Sequence, residues 1–98
     1  MVYFEHARTQ KKLNKIFEEH SNLGHRLKSV VITDLFTRYD LIFEDSDKKY
    51  SYIHKSFYLT KKIAPTINEC EKEGYNLVFH LVGDFTATHE LFFEKEIE

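Results

Sequence analysis

Residues Lys48 to Lys62 read KKYSYIHKSFYLTKK and form the middle of the chain. Tyrosine, isoleucine, phenylalanine and leucine suit a pleated surface, so the centre of this stretch predicts a β-strand. Because side chains alternate between the two faces of a strand, its residues divide into two sets. One face would hold Tyr50, Tyr52, His54, Ser56 and Tyr58, and the other Ser51, Ile53, Lys55, Phe57 and Leu59.

Aromatic side chains flanked by lysine pairs are typical of a strand that binds a partner, either a protein or a nucleic acid. Isoleucine, phenylalanine and leucine are better core residues than tyrosine, so we predict that the tyrosine face is exposed. The alternative is an ordinary strand whose tyrosine rings face the helices and belong to the core. The predicted binding residues are Tyr50, Tyr52, His54, Tyr58, Lys48, Lys49, Lys61 and Lys62.

The composition is that of a globular protein. Ninety-eight residues, 42% hydrophobic and 31% charged, predict one domain over residues 1–98 with a single core. No apolar run reaches membrane-spanning length, and the N-terminal residues do not have the pattern of a signal peptide. The single Cys70 has no partner for an internal disulfide, which favours a reducing compartment and predicts a cytoplasmic location.

Charge is distributed unevenly along the chain. Residues 1–62 hold twelve Lys and Arg against eight Asp and Glu, whereas residues 63–98 hold two against eight. This asymmetry is typical of a basic binding surface with an acidic back, or of two halves that neutralise each other in the fold. Lysine outnumbers arginine eleven to three, a usage that fits an AT-rich genome such as that of a phage or mobile element.

The first forty residues predict a helix followed by strands. Apolar side chains at helical spacing predict a helix from Ala7 to Leu23, and Gly24 suits the position after its end. Val2 to Phe4, before it, predict either a short edge strand or the start of the helix. The predicted buried stripe is Leu13, Ile16, Phe17, His20 and Leu23. A secondary basic face, either phosphate-contacting or simply solvated, is formed by Arg8, Lys11, Lys12 and Lys15.

Three strands are predicted next, within Arg26–Phe36, at Tyr39–Glu44 and within Lys48–Lys62. Their connections are too short for a parallel crossover, so they predict an antiparallel meander. A second helix begins at Ala64–Pro65, since proline is tolerated in the first turn, and ends at Gly74.

Two further strands complete the chain. Tyr75–Val82 and Phe85–Phe93 are predicted to pair through a two-residue turn at Gly83–Asp84, and Glu94–Glu98 predicts a charged tail. The predicted fold is therefore α+β, with a mostly antiparallel five-stranded sheet and two helices packed on one face, in the order α-β-β-β-α-β-β. No internal repeat is evident. The predicted core is Leu13, Ile16, Phe17, Val30, Ile32, Leu41, Phe43, Ile67, Leu77, Phe79 and Leu81.

Motifs that carry chemistry are few. The three glycines stand alone, so no phosphate-binding loop is predicted, and neither Cys-x-x-Cys nor His-Glu-x-x-His occurs. His80 and His89 are predicted to share a face of the last hairpin, with Asp84 at its tip, and such a set could bind zinc. Because no third ligand is assured, we favour two polar residues on a half-exposed hairpin and predict no metal or cofactor.

Three classes of function fit these observations. Small size, abundant tyrosine and the lack of a catalytic motif favour a non-enzymatic protein-binding regulator or inhibitor, with another protein as its partner. The alternative is an RNA- or single-stranded-DNA-binding domain that stacks bases on the tyrosines and contacts phosphates with the lysines. A small enzyme comes third, since no pair of residues has a spacing that demands acid–base catalysis.

Overall fold

A computed structural model describes residues 1–33, 38–83 and 87–97 of the chain. Strands and helices follow one another in the order β1, α1, β2, β3, β4, α2, β5 and β6. Their bounds are β1 Val2–Ala7, α1 Gln10–Asn22, β2 His25–Thr33, β3 Arg38–Asp45, β4 Lys49–Phe57, α2 Ile63–Lys72, β5 Asn76–Val82 and β6 His89–Ile97. A single 3-10 turn at Thr60–Lys62 leads into α2.

The strands form two antiparallel sheets of three. Sheet 1 has the order β1-β3-β2 and sheet 2 the order β4-β6-β5. The α+β class is confirmed, but the single five-stranded sheet is wrong. The physical reason is β1, which pairs with β3 from Val2 opposite Glu44 to Ala7 opposite Tyr39. Both edges of β3 are therefore occupied, so β4 does not pair with it and instead begins a second sheet.

The helices begin and end for local reasons. Helix α1 starts at Gln10 rather than Ala7, because Val2–Ala7 is a strand and the Thr9 hydroxyl caps the helix by accepting the Lys12 N–H at 3.1 Å. Helix α2 ends, like α1, just before a glycine with positive φ. Gly24 has φ +76° and Gly74 φ +89°, a backbone conformation that other residues rarely adopt.

Two predictions about the last strands are wrong. Residues 94–97 are not a tail, because they extend β6 to Ile97. The turn is also longer than two residues, since the Gly83 N–H donates to the Thr88 carbonyl at 2.9 Å across the loop. Three predicted features lie outside the described residues. They are Asp84, residues 85–86 of the predicted fifth strand, and residues 34–37, where the predicted strand Arg26–Phe36 would end.

The chain contains the same β-α-β-β unit twice, so the expectation of no internal repeat is also wrong. In the first unit Phe43 lies opposite Tyr3 and Leu27, and in the second Phe93 lies opposite Ile53 and Leu77. Residue n of the first unit thus corresponds to residue n + 50 of the second. Both units have the strand order first-third-second, and each has a β-bulge in its second strand at the same level. Identical pairs include Gly24/Gly74, Leu27/Leu77, Leu41/Leu91, Phe43/Phe93 and Glu44/Glu94.

The two units stack in the same orientation. We call the side of each sheet that its own helix covers the helix face, and the opposite side the back face. The back face of sheet 2 packs against α1 and the helix face of sheet 1, where the Phe17 ring lies 5.3 Å from Tyr52 and 6.3 Å from Phe92 between centroids. Helix α2 covers the other side of sheet 2, with Cys70 against Leu91 and Phe93.

The main core joins both units. Its buried members are Ala7, Leu13, Ile16, Phe17, Leu27, Val30, Tyr39, Leu41, Phe43, Tyr50, Tyr52 and Phe92. Six predicted core residues are buried, whereas Ile32, Ile67, Leu77, Phe79 and Leu81 are only partly buried. Leu23, placed in the predicted stripe, is 67% exposed because it caps the end of α1. That residues 1–98 form a single domain stays a prediction.

Phe43→Ala is expected to lower the free energy of unfolding by about 3–5 kcal/mol, the usual cost of truncating a buried phenylalanine. The ring is fully buried, stacks on His20 at 4.0 Å between centroids and meets the edge of Phe17. Urea denaturation measures the loss. Phe4→Ala is the control, because Phe4 is 59% exposed and its truncation should cost little. Equal losses for the two variants would contradict the assignment of the core.

Candidate functional site

The strand predicted to carry the binding surface is covered on both faces. Tyr50, Tyr52 and His54 are 6%, 9% and 8% exposed and face the first unit, so the prediction of an exposed tyrosine face is wrong for these three. Tyr58 follows β4 and is 68% exposed. The tyrosine face is buried because the interface between the units contains polar groups that tyrosine and histidine can hydrogen-bond. Isoleucine and phenylalanine at these positions would leave those groups without partners.

Tyr52 links the two units through a buried network. Its hydroxyl accepts the Leu27 N–H at 2.8 Å and donates to Glu94 at 2.7 Å. Glu94 in turn accepts two hydrogen bonds from the Arg26 guanidinium, at 2.9 and 3.0 Å, and that guanidinium lies 4.6 Å from the Tyr50 ring centroid. Burial raises the pKa of Tyr52, so the phenol keeps its proton and its role as donor.

A second buried network surrounds Glu90, which is 1% exposed. His54 Nε2 and the Tyr39 hydroxyl donate to Oε1 at 2.6 and 2.7 Å, and the Ser56 hydroxyl donates to Oε2 at 2.7 Å. The Thr88 hydroxyl also donates to Oε2. Burial alone would raise the pKa of Glu90, but these donors outweigh it and lower the pKa to about 2.

The Glu90 network joins the two units through His54. His54 Nδ1 lies 2.6 Å from the side-chain oxygen of Gln10, and Nε2 lies 2.6 Å from Glu90 Oε1. Both ring nitrogens are therefore occupied by oxygens of the protein itself. The network fixes the position of one unit on the other, because removing its donors would leave the Glu90 carboxylate buried and uncompensated.

The predicted lysines do not converge on one surface. Lys48 and Lys49 lie at the start of β4, whereas Lys61 and Lys62 follow its end, and a nine-residue strand is roughly 27 Å long. Lys48 also lies 3.4 Å from Glu96. Of the secondary basic face, Lys11, Lys12 and Lys15 are exposed on α1, and the exposed Arg8 precedes the helix. A binding role for these exposed side chains stays a prediction.

The predicted histidine pair is formed. His80 Nε2 and His89 Nδ1 lie 3.1 Å apart on the exposed side of the last hairpin, and His89 Nε2 lies 3.5 Å from the Thr60 hydroxyl. Within residues 1–33, 38–83 and 87–97, no group of three or more His, Cys, Asp or Glu side chains is arranged to hold a metal ion. The predicted third member, Asp84, lies outside those ranges.

Within the described residues no helix or strand covers the back face of sheet 1, and none of its residues was among the predicted binding residues. Val2 and Phe4 in β1 and Val31 in β2 are 58%, 59% and 49% exposed, and the half-buried Ile42 of β3 lies opposite Phe4. The alternation of apolar residues in Val2–Phe4 was visible in the sequence. Their exposure was not, because it follows from the way in which the second unit stacks on only one side of the first.

A cleft opens at the free edge of the same sheet, between β1 and the C-terminal turn of α1. Its volume is about 700 Å³, and its lining is Tyr3, Phe4, Glu5, Glu19, His20, Asn22, Leu23 and His25. Two imidazoles form its floor: His20 Nδ1 and His25 Nδ1 lie 2.8 Å apart, and His20 Nε2 donates to Glu5 at 2.7 Å. Its carboxylates come from two elements, Glu5 from β1 and Glu19 from α1, which only the tertiary fold brings together.

Comparison of the chain with protein-family models, curated proteins and solved structures found no match. Among the described residues, no helix is long and apolar enough to cross a membrane. Any functional conclusion therefore rests on the residues themselves.

Tyr52→Phe is expected to lower the free energy of unfolding by about 1–3 kcal/mol, because the Leu27 N–H and the Glu94 carboxylate both lose a buried partner. Chemical denaturation measures the change. Tyr58→Phe is the matched control, since it removes the same hydroxyl from a side chain that is 68% exposed. An unchanged stability for Tyr52→Phe would show that the network contributes nothing.

Stability is expected to fall by about 3 kcal/mol as Glu90 takes up its proton between pH 4.5 and about pH 2. The sign follows from a folded-state pKa below the usual 4.5: the contribution is complete above pH 4.5 and is lost as the pH falls through the folded-state pKa. Unfolding free energies across this range measure it. Glu90→Gln should reduce the slope, and Glu71→Gln, on the exposed side of α2, is the charge-matched control. A wild-type pH profile no steeper than that of Glu90→Gln would contradict the assignment.

Proposed function

We propose that this chain is a small non-enzymatic protein-binding regulator or inhibitor that engages its partner through the back face of sheet 1. The observation that carries the proposal is an inversion between the two units. Phe4 is exposed where its counterpart His54 is buried, and Val2 is exposed where its counterpart Tyr52 is buried. At these two positions of the edge strand the uncovered face is thus the more apolar, the reverse of what burial alone would select.

Its size fits a functional patch. Three strands about 4.8 Å apart and about 25 Å long present roughly 350 Å². Part of this area is apolar, at Val2, Phe4, Val31 and Ile42, and contiguous exposed apolar surface commonly marks an interaction site. The face alone is smaller than one side of a standard stable interface, about 800 Å², which favours a transient complex or one that also uses the neighbouring edge of β1.

The charges on this face favour a protein over a nucleic acid. Arg38 lies 2.9 Å from Asp40, and Lys28 lies 3.8 Å from Glu44, so cations on β2 and β3 are matched by neighbouring carboxylates. Phosphate recognition requires an excess of unmatched cations. The buried rings of Tyr50 and Tyr52 also offer no stacking surface for bases in this conformation.

The second unit indicates the kind of surface that such a face accepts. Its own back face is covered by α1, whose Phe17 contacts the rings of Tyr52 and Phe92. In the first unit the corresponding positions are Val2 and Ile42. We therefore propose that the partner presents an amphipathic helix with an aromatic side chain directed at the strip between Val2 and Ile42. A cytoplasmic location belongs to the same proposal.

The test begins with capture of a partner from a nuclease-treated lysate, followed by purification of that protein and measurement of its Kd. Phe4→Ser/Val31→Ser removes two exposed apolar side chains from the back face of sheet 1 and should weaken binding about tenfold or more. The matched control is Val78→Ser/Val82→Ser on β5, where the two valines are 36% and 54% exposed. That variant should bind like the wild type.

Two results would overturn the proposal. One is a Kd that is the same for Phe4→Ser/Val31→Ser as for the wild type, which would place the interface elsewhere. The other is retention of nucleic acid in place of protein, with an affinity that falls steeply as salt rises, which would favour the nucleic-acid-binding alternative.

A further inference from the structure

The internal repeat produces the same cleft twice, between the helix of each unit and its first strand. The first cleft was described above, and the second has a volume of about 170 Å³. The second is lined by Ile53, Lys55, Thr66, Glu69, Cys70 and Glu73. At n + 50, Ile53, Lys55, Glu69 and Cys70 correspond to Tyr3, Glu5, Glu19 and His20 of the first cleft. The fold therefore allows a direct comparison of two sites with one geometry and different chemistry.

In the second cleft the chain supplies its own alkylammonium group. Lys55, Glu69 and Glu73 all line this cleft. Cys70, 4% exposed, lies at its base, and burial raises the pKa of the thiol. A cation on an apolar stem thus lines the same cleft as the carboxylates that α2 contributes.

The first cleft has the carboxylate without the cation. Glu19 occupies the position of Glu69, but Glu5 stands where the second cleft has Lys55. Within the described chain, no lysine or arginine lines the first cleft. The first cleft is also the larger of the two, about 700 Å³ against about 170 Å³, so there is room for a group from outside.

Glu5 is held in place by buried rings. His20 donates to one of its carboxylate oxygens at 2.7 Å and is itself fixed by stacking on Phe43, with ring planes within 1°. His25, bonded to His20, stacks on Tyr3 at 4.1 Å between centroids. The other carboxylate oxygen of Glu5 has no hydrogen-bond partner among the described residues. A carboxylate fixed in this way loses little entropy on binding a cation.

The surroundings add negative potential and an apolar wall. Glu19, His20 and Asn22 lie in the last turn of α1, and the carbonyl end of a helix attracts cations. Phe4 and Leu23, 59% and 67% exposed, provide apolar surface at the cleft. A ligand that matches both features carries a positive head on a hydrocarbon stem.

We propose that the first cleft binds an alkylammonium group on an apolar stem, as the free amine or as a lysine side chain of a polypeptide. Glu5 and Glu19 bind the ammonium, and Phe4 and Leu23 contact the stem. The residues that bind the charge, Glu5 and Glu19, do not lie on the back face, so the two sites share only Phe4.

Amide chemical shifts of the intact protein, titrated with n-butylammonium chloride, test the proposal. Shifts should appear in β1 and the last turn of α1, and Kd should rise with salt. Glu19→Gln should raise Kd about threefold, and Glu5→Gln/Glu19→Gln about tenfold. Glu69→Gln is the matched control: it removes the same charge at the corresponding position of α2 and should leave Kd unchanged.

Neutral n-butanol and anionic butyrate, used as further probes, should bind much more weakly than n-butylammonium. Equal affinity for butanol would reduce the site to an apolar cleft and overturn the proposal. Shifts that fall outside the cleft, or an equal loss of affinity in Glu69→Gln, would overturn it as well. N-acetyl-lysine N-methylamide distinguishes the two sources: tighter binding than butylammonium assigns the site to a lysine side chain of a polypeptide, and weaker binding to a free amine.

Discussion

The burial of the second sheet's back face against the first unit is the contact on which the rest of the structure depends. It places the carboxylates of Glu90 and Glu94 beside the aromatic and aliphatic side chains of the main core. Buried carboxylates are tolerated only when donors surround them, and here Tyr39, His54 and Ser56 serve Glu90 while Tyr52 and Arg26 serve Glu94. These bonds fix how the units stack and commit the tyrosines of β4 to the interior.

Because the two units stack in the same orientation, their back faces have different surroundings. A pair of identical units facing each other would bury both back faces, whereas this arrangement buries one and leaves the other open. The side chains follow that division: Tyr52 and His54 meet polar partners at the interface, and Val2 and Phe4 occupy the equivalent positions on the open face. The same division underlies the proposed partner site.

The two proposed sites meet at β1. Phe4 belongs to the open back face and also lines the first cleft, so a polypeptide docked on the face could place a lysine side chain beside Glu5. The clefts also show how one geometry supports different chemistry. Glu19 and Glu69 are retained on the two helices, while the facing strand residue is a glutamate in one unit and a lysine in the other.

The sequence by itself determined the local elements and the class: helical spacing in Leu13–His20, the glycines that end both helices, and the apolar core strands follow from near-neighbour chemistry. It did not determine which strand pairs with β3, because pairing partners more than thirty residues apart leave no local pattern. Nor did it reveal the repeat, since Leu41/Leu91 and Phe43/Phe93 are ordinary core identities. Only the tertiary structure decided which face of β4 is buried. Tyr52 and His54 are stable in the interior because residues distant in sequence, Glu94 and Glu90, provide their hydrogen-bond partners.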